Sequence, residues 1–376
     1  MDIVSILSNL LSSDYIKRNE AEKLMTDYAQ NNFEDYLEKL GNLLVNEEIP
    51  NNVRVAATTL IKNPITYISL YTNKWLEFPV ETKSKIRTLI LSALGSKSSD
   101  VRRGAASVVA TIAKIDFPLT KNWPELLPIL CNENIDNKEL RITAIETLGF
   151  ICEELNNKQL SSQEIDQILS AIVLCIQKSI EKFKESYNND VCLKLCTTST
   201  KALIRAIPLI TNEKMNYKEY SDILINELFR LGDSFQTNEQ VLELVCRSFI
   251  EVAENYYDCI ELYLNKISMF TFNMISTNNQ RLKLLGFEFW YRLGSEELER
   301  YQRISNKKVC KMYFQSYYYK LKELIESYIV SNTKDDIDND EWNTSKAACS
   351  LLIILVQVIK EDNYRELVEV IKGKQY

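Results

Sequence analysis

The sequence predicts an all-α protein, an α-solenoid (superhelix) of about eight stacked helix pairs of the HEAT/armadillo-like kind. Three observations predict it. Glycine and proline are scarce, 8 and 7 among 376 residues, whereas an α/β enzyme of this length uses both in its many turns. Apolar residues recur at helical period. Helical segments alternate with short breaks at roughly the 40–47-residue spacing of such arrays.

Each predicted repeat is an A helix followed by a B helix. The first pair spans 2–12 and 14–30, the second 33–47 and 51–70. Asn51 and Asn52 stand where caps of a B helix belong. The third pair spans 80–95 and 98–115. Ser98, Ser99 and Asp100 offer its cap, and Val101, Ala105, Val108, Val109, Ile112 and Ala113 form one stripe. Pro118, Pro124 and Pro128 introduce the fourth pair, 123–132 and 138–155, with Pro124 at a first helical position. Its B helix carries Ile145, Leu148, Cys152 and Leu155 at spacings of 3, 4 and 3. The fifth pair is 163–183 and 189–207, the sixth 217–232 and 237–255, the seventh 257–276 and 278–297, the eighth 308–331 and 342–360. A ninth A helix begins within 363–376, at 363–372. The whole chain thus reads as one solenoid, and its ending without a polar capping repeat predicts part of a longer protein. Stacked pairs share a continuous core, leaving an inner surface of B helices and an outer surface of A helices for proteins to dock on.

Composition excludes several functions. There is no histidine, which removes the commonest general base and the usual zinc ligand. No GxxxxGK[ST] or GxGxxG loop occurs. The reading is therefore no enzyme, no cofactor and no metal. A net charge of −7 without a basic stripe argues against nucleic acid and favours basic partners. The nine scattered cysteines read as free thiols in a reducing compartment. The longest strongly apolar run, Leu351 to Leu355, extending to Ile359 with one glutamine, is about half of a membrane span, so no membrane insertion is expected.

Several strings, in order, resemble the importin-beta family: LIKN at 60–63, IAKIDFP at 112–118, NWPELLP at 122–128 and LGFICEEL at 148–155. ILSAIVLCIQK at 168–178, NYYDCIELYL at 255–264 and FEFWYRL at 287–293 follow. An acidic run inside 334–341 then leads into WNTSKAACSLL at 342–352. This acidic insertion between two helices of one repeat is the most specific match. The resemblance implies the N-terminal portion of a nuclear import receptor, monomeric, moving between cytoplasm and nucleus and meeting the nuclear envelope at pores. It implies three partners: GTP-loaded Ran, phenylalanine–glycine nucleoporins, and a cargo or importin-alpha-type adaptor whose main site lies in later repeats. A HEAT scaffold subunit, for example of a phosphatase, is the alternative without Ran dependence.

The resemblance also names residues. The Ran-facing set is Asp335, Asp336, Asp338, Asp340 and Glu341 of the acidic run, then Glu288, Glu296 and Glu297, then Arg54, Lys62, Asn63 and Arg102 of the early B helices. Ser295 departs from the family, which favours an acid there. The nucleoporin-facing set is Leu169, Ser170 and Val173 on one A helix and Leu224 and Ile225 on the next. Read as bare residues, these five are equally suited to core between repeats. Trp290, Tyr256 and Tyr257 read as core, and the run Tyr317 to Tyr319 must expose at least one ring.

Overall fold

The computed structural model describes residues 2–66, 70–120, 123–156, 159–185, 190–302, 310–330 and 342–359. Among these are eighteen α-helices and no strand, as an α-solenoid requires. The acidic run and the ninth helix lie outside the described residues.

The chain forms two compact units, Met1–Leu209 and Ile210–Tyr376. The first unit contains α1 (Ile3–Leu10), α2 (Tyr15–Asn31), α3 (Phe33–Val45), α4 (Asn51–Thr66), α5 (Leu70–Glu77) and α6 (Val80–Ala93). It continues through α7 (Ser99–Thr120), α8 (Leu126–Leu130), α9 (Lys138–Glu154), α10 (Ser162–Glu185) and α11 (Asp190–Ala206). Its B helices α4, α7, α9 and α11 pack in succession, each against the next. The second unit contains α12 (Asn212–Asn216), α13 (Lys218–Ser234), α14 (Glu239–Asn255) and α15 (Leu264–Ser276). Then come α16 (Gln280–Gln302), α17 (Tyr313–Val330) and α18 (Thr344–Ile359). Here α14, α16 and α18 form the successive row.

Local chemistry sets many of the boundaries. Asp2, Asp14, Asn137 and Asn238 accept from first-turn amides of α1, α2, α9 and α14. Ser161 and Glu164 make a reciprocal capping box at α10. Asn51 caps nothing, being itself the first residue of α4 after Pro50. Pro64 sits inside α4 and has no N–H to give the carbonyl four residues back. That carbonyl, on Leu60, accepts instead from the Tyr36 hydroxyl at 3.0 Å.

The predicted stripes are the core. Ile145, Leu148, Cys152 and Leu155 are all buried, as are Val101, Ala105, Val108, Val109, Ile112 and Ala113. Each large apolar side chain so buried contributes about 1.5–3 kcal/mol. Where helices press closest, glycine is needed. A Cβ at Gly104 would meet the Thr58 hydroxyl oxygen of α4 at 2.5 Å, and one at Gly286 would meet Ile275 at 2.5 Å and the Thr271 carbonyl at 2.8 Å.

Several elements depart from the sequence prediction. The second B helix gives way to a separate helix, α5, which carries the fully buried Trp75. The indole donates to Asp116 at 3.1 Å, and Asp116 pairs with the buried Arg87 at 2.5 Å. Arg87 also lies over Trp123, 4.9 Å from the ring centre. This cluster ties α5, α6, α7 and the turn before α8 together. Pro118 lies within α7 and Pro128 within α8, while Pro124 precedes α8 by two residues. The short α12 was not anticipated, and the seventh A helix starts only at Leu264, after a 3₁₀ turn at Ile260–Leu262.

Candidate partner-binding surfaces

Successive B helices of the first unit are cross-linked by charge. Arg102 on α7 donates to the Ser96 and Lys97 carbonyls and pairs with Glu139 of α9 at 2.5 Å. Glu139 also meets Lys194 of α11 at 3.0 Å, and that hydrogen bond leads in holding its carboxyl below the usual glutamate range. Lys114 reaches Glu154 at 2.8 Å, and Arg205 reaches Glu153 at 3.0 Å. The Lys62 ammonium of α4 bonds the Ser107 hydroxyl of α7 at 2.7 Å. The pairs of Lys194, Lys114 and Arg205 are solvated and contribute about 0–1 kcal/mol each, so a charged partner exchanges with them cheaply.

Arg54 is different. It is fully buried, donates to the Leu44 carbonyl at 2.6 and 3.1 Å and the Ser96 hydroxyl at 2.9 Å, and grips Glu47 with two nitrogens. Arg54 foremost, then Ser96, holds the Glu47 carboxyl down at about 2. Arg54 and Arg102 are therefore internal fasteners, while Asn63 is exposed and Lys62 half-buried.

In the second unit, α14, α16 and α18 frame a groove of about 690 Å³. Arg247, Arg281 and Glu288 line it, with Tyr291 and the exposed Trp342. Glu288 faces Arg292 at 3.6 Å, and Arg292 faces Glu254 at 3.6 Å. Trp342 directly follows the acidic run in sequence. Glu296 pairs with Arg300 at 2.7 Å, and Arg300 also meets Asp258 at 2.8 Å. Glu297 has no exposure. It accepts from the Tyr257 hydroxyl at 2.8 Å and from the first backbone amides of α17, those of Tyr313 and Phe314. Burial, the largest influence, raises its carboxyl above the glutamate norm despite these donors. Glu297 is a helix cap built into the core, not a surface acid.

On the A helices, Leu169 of α10 is buried, Val173 half-buried and Ser170 exposed. Leu224 and Ile225 of α13 are buried, and the residue turned outward is their neighbour Ile223, 58% exposed. Met269 of α15 and Tyr319 of α17 are likewise outward, at 60% and 81%. Sequence reasoning passed over Ile223 and Met269 because it followed the dominant apolar stripe, whereas an exposed ring was expected in the run that holds Tyr319. The available signal was an apolar residue on the polar side of its helix.

Comparison with known proteins accords with this geometry. A model of the Importin-beta N-terminal domain matches residues 21–96, and one described as IPO5-like, TPR repeats matches 97–270. Together they cover well over half of the chain. The chain belongs to the importin-beta family. Importin subunit beta-1 of Arabidopsis thaliana is 24% identical over 375 residues, and that of Schizosaccharomyces pombe 26% over 376. Each likeness covers 96% of this chain and 42% of the relative, so the chain spans about two fifths of these curated relatives. The structure of yeast importin-beta (Kap95p) aligns with a TM-score of 0.84 at 20% identity, over 99% of this chain and 43% of that one. Kap95p in a study of its binding to RanGDP, whose switch loops it induces to adopt the GTP-bound conformation, aligns at 0.82 and 20% identity, over 98% and 44%. The Kap95:Nup1 complex aligns at 0.81 and 20% identity, over 98% and 42%.

The importin-beta strings gain physical roles here. In FEFWYRL, Phe287, Phe289 and Trp290 are buried, and Trp290 stacks on Phe272 with ring centres 4.8 Å apart. In IAKIDFP, Asp116 holds Trp75 and Arg87. In NYYDCIELYL, Tyr256 and Tyr257 are buried and bond Ile210 and Glu297. Of the tyrosine run, Tyr318 is buried and Tyr319 exposed. The strings that carry the family likeness are mostly packing devices between repeats.

Proposed function

We propose that this chain is the N-terminal part of an importin-beta nuclear import receptor that binds GTP-loaded Ran and phenylalanine–glycine nucleoporins. The observation that carries the reading is a likeness to importin subunit beta-1 running through 96% of the chain, on a fold whose B helices present exchangeable charge. Ran contacts fall to Lys62 and Asn63 of α4, to Glu288 and Glu296 of α16, and to Asp335, Asp336, Asp338, Asp340 and Glu341 of the acidic run. Arg54, Arg102 and Glu297 hold those surfaces in place from within.

Nucleoporin rings need shallow apolar slots on a polar face. Ser170 and Val173 keep that role on α10, with Leu169 as floor. On α13 the exposed apolar residue is Ile223, with its neighbours Leu224 and Ile225 buried. The receptor shuttles between cytoplasm and nucleus through pores, as a binding protein without catalysis. Cargo or adaptor binding relies largely on repeats beyond those of this chain. Release of cargo by Ran then follows from reciprocal coupling of the two sites. Titration with Ran loaded with GTP and with GDP tests the reading. Tighter binding of the GTP form is expected, and equal affinity for both, or none, overturns it.

A further inference from the structure

The first unit has a second concavity, unrelated to the residues above, where α9, α10 and α11 meet at one end. Its volume is about 390 Å³, near the lower end of the ~300–1,000 Å³ of ligand pockets. Four cations line it, Lys138, Arg141, Lys178 and Lys182, against one carboxylate, Asp136. That bias is unusual in a chain with net charge −7. Lys138 and Lys182 are exposed and Lys178 half-exposed. Among the described residues Lys178 pairs with Glu133, at 3.6 Å with both side chains well solvated, a pair that a stronger anion displaces. Arg141 is pinned in place by the carbonyls of Glu133 and Ile135. The floor is apolar, formed by Ile135, Val191 and Leu195, each half-exposed.

We propose that this cleft binds an acidic, apolar segment of a partner protein: one large aliphatic or aromatic side chain on the floor, with Asp or Glu neighbours against Lys138, Lys178 and Lys182. Charge complementarity names the occupant. A segment carrying two or three carboxylates matches the excess of cations that line the cleft. A long polyanion such as nucleic acid meets repulsion from the surrounding negative chain, and its backbone has nothing to place on an apolar floor. The predicted basic partners of the B helices do not fit here, so this site implies a further class of partner.

Fluorescence anisotropy on the full chain tests the proposal with three labelled twelve-residue probes. The first alternates Asp and Glu around a central Leu-Phe, the second replaces each acid by Asn or Gln, and the third keeps the acids but replaces Leu-Phe by Gly-Gly. The first probe is expected to bind at least about tenfold more tightly than either of the others. Lys138→Glu with Lys178→Glu, both surface changes, is expected to weaken the first probe roughly tenfold or more while leaving Ran titration unchanged. Protection from hydrogen exchange is expected at the start of α9 and the end of α10. Equal binding of the three probes, or no effect of the double charge reversal, overturns the proposal. So does stronger competition by single-stranded DNA or by phosphatidylserine vesicles than by the unlabelled acidic peptide. Loss of Ran binding alone bears on the function proposed above and leaves this cleft untouched.

Discussion

Replacing Glu297 by alanine removes an acceptor from three buried donors: the Tyr257 hydroxyl and the amides of Tyr313 and Phe314. Hydrogen bonds to charged groups contribute about 1.5–3 kcal/mol each, and stranding a buried donor costs about 1–3 kcal/mol. Keeping a carboxylate in the core is itself unfavourable, which is why burial raises its pKa. Taking about 1 kcal/mol per donor after that offset gives a loss of about 3 kcal/mol for Glu297→Ala. Glutamine keeps one acceptor but turns an N–H₂ toward N–H donors, so Glu297→Gln is expected to lose about 1–2 kcal/mol. For a unit of this size the alanine loss corresponds to a Tm drop of roughly 6–12 °C. The assays are thermal unfolding and hydrogen exchange of α17, whose first amides should lose protection before those of α16. An alanine variant with unchanged Tm and unchanged exchange at Tyr313 and Phe314 would refute the assignment of Glu297 as a buried cap.

Three further predictions follow from the same structure. Glu47 has its folded pKa lowered from 4.5 to about 2, chiefly by Arg54. Its stabilisation is therefore complete above pH 4.5 and lost as pH falls toward 2. Because Glu47 is 38% exposed, that step is worth about 1 kcal/mol after screening. Arg54→Met should shrink the step, leaving the part that Ser96 and the Lys97 amide supply, and cost about 1–3 kcal/mol at neutral pH through the stranded Leu44 carbonyl, read by urea unfolding across pH. Gly286→Ala places a methyl group 2.5 Å from Ile275 and 2.8 Å from a backbone oxygen, and should cost about 1–3 kcal/mol. Thermal unfolding unchanged within about 1 °C would count against close packing of α15 on α16. Ile223→Asp should weaken binding of phenylalanine–glycine peptides several-fold with unfolding within about 0.5 kcal/mol of the parent, whereas Ile225→Asp, at a fully buried position, should unfold the repeat.

Helical period and punctuation determined the repeats, because every repeat buries one stripe and the stripe is written locally. Ile145, Leu148, Cys152 and Leu155 show it. The boundaries of α9, α10 and α11 fall within two residues of those read from the chain. Local pattern failed where a residue's partner lies in another repeat. Trp75 needs Asp116, 41 residues away, before α5 has a reason to form. Arg54 reads as a surface cation until Leu44 and Ser96 close around it. Glu297 reads as one acid in a charged helix until α17 presents its amides. The exposed side of α13 turned on a single residue, because a 100° step separates Ile223 from Leu224 and only packing against neighbouring helices decides which phase faces inward. Sequence alone determined that this is a stack of helical hairpins. The tertiary structure decided which charges remain on its surface, because burial and pairing depend on residues outside a side chain's own helix, from 7 positions away (Arg54 with Glu47) to 42 (Arg54 with Ser96).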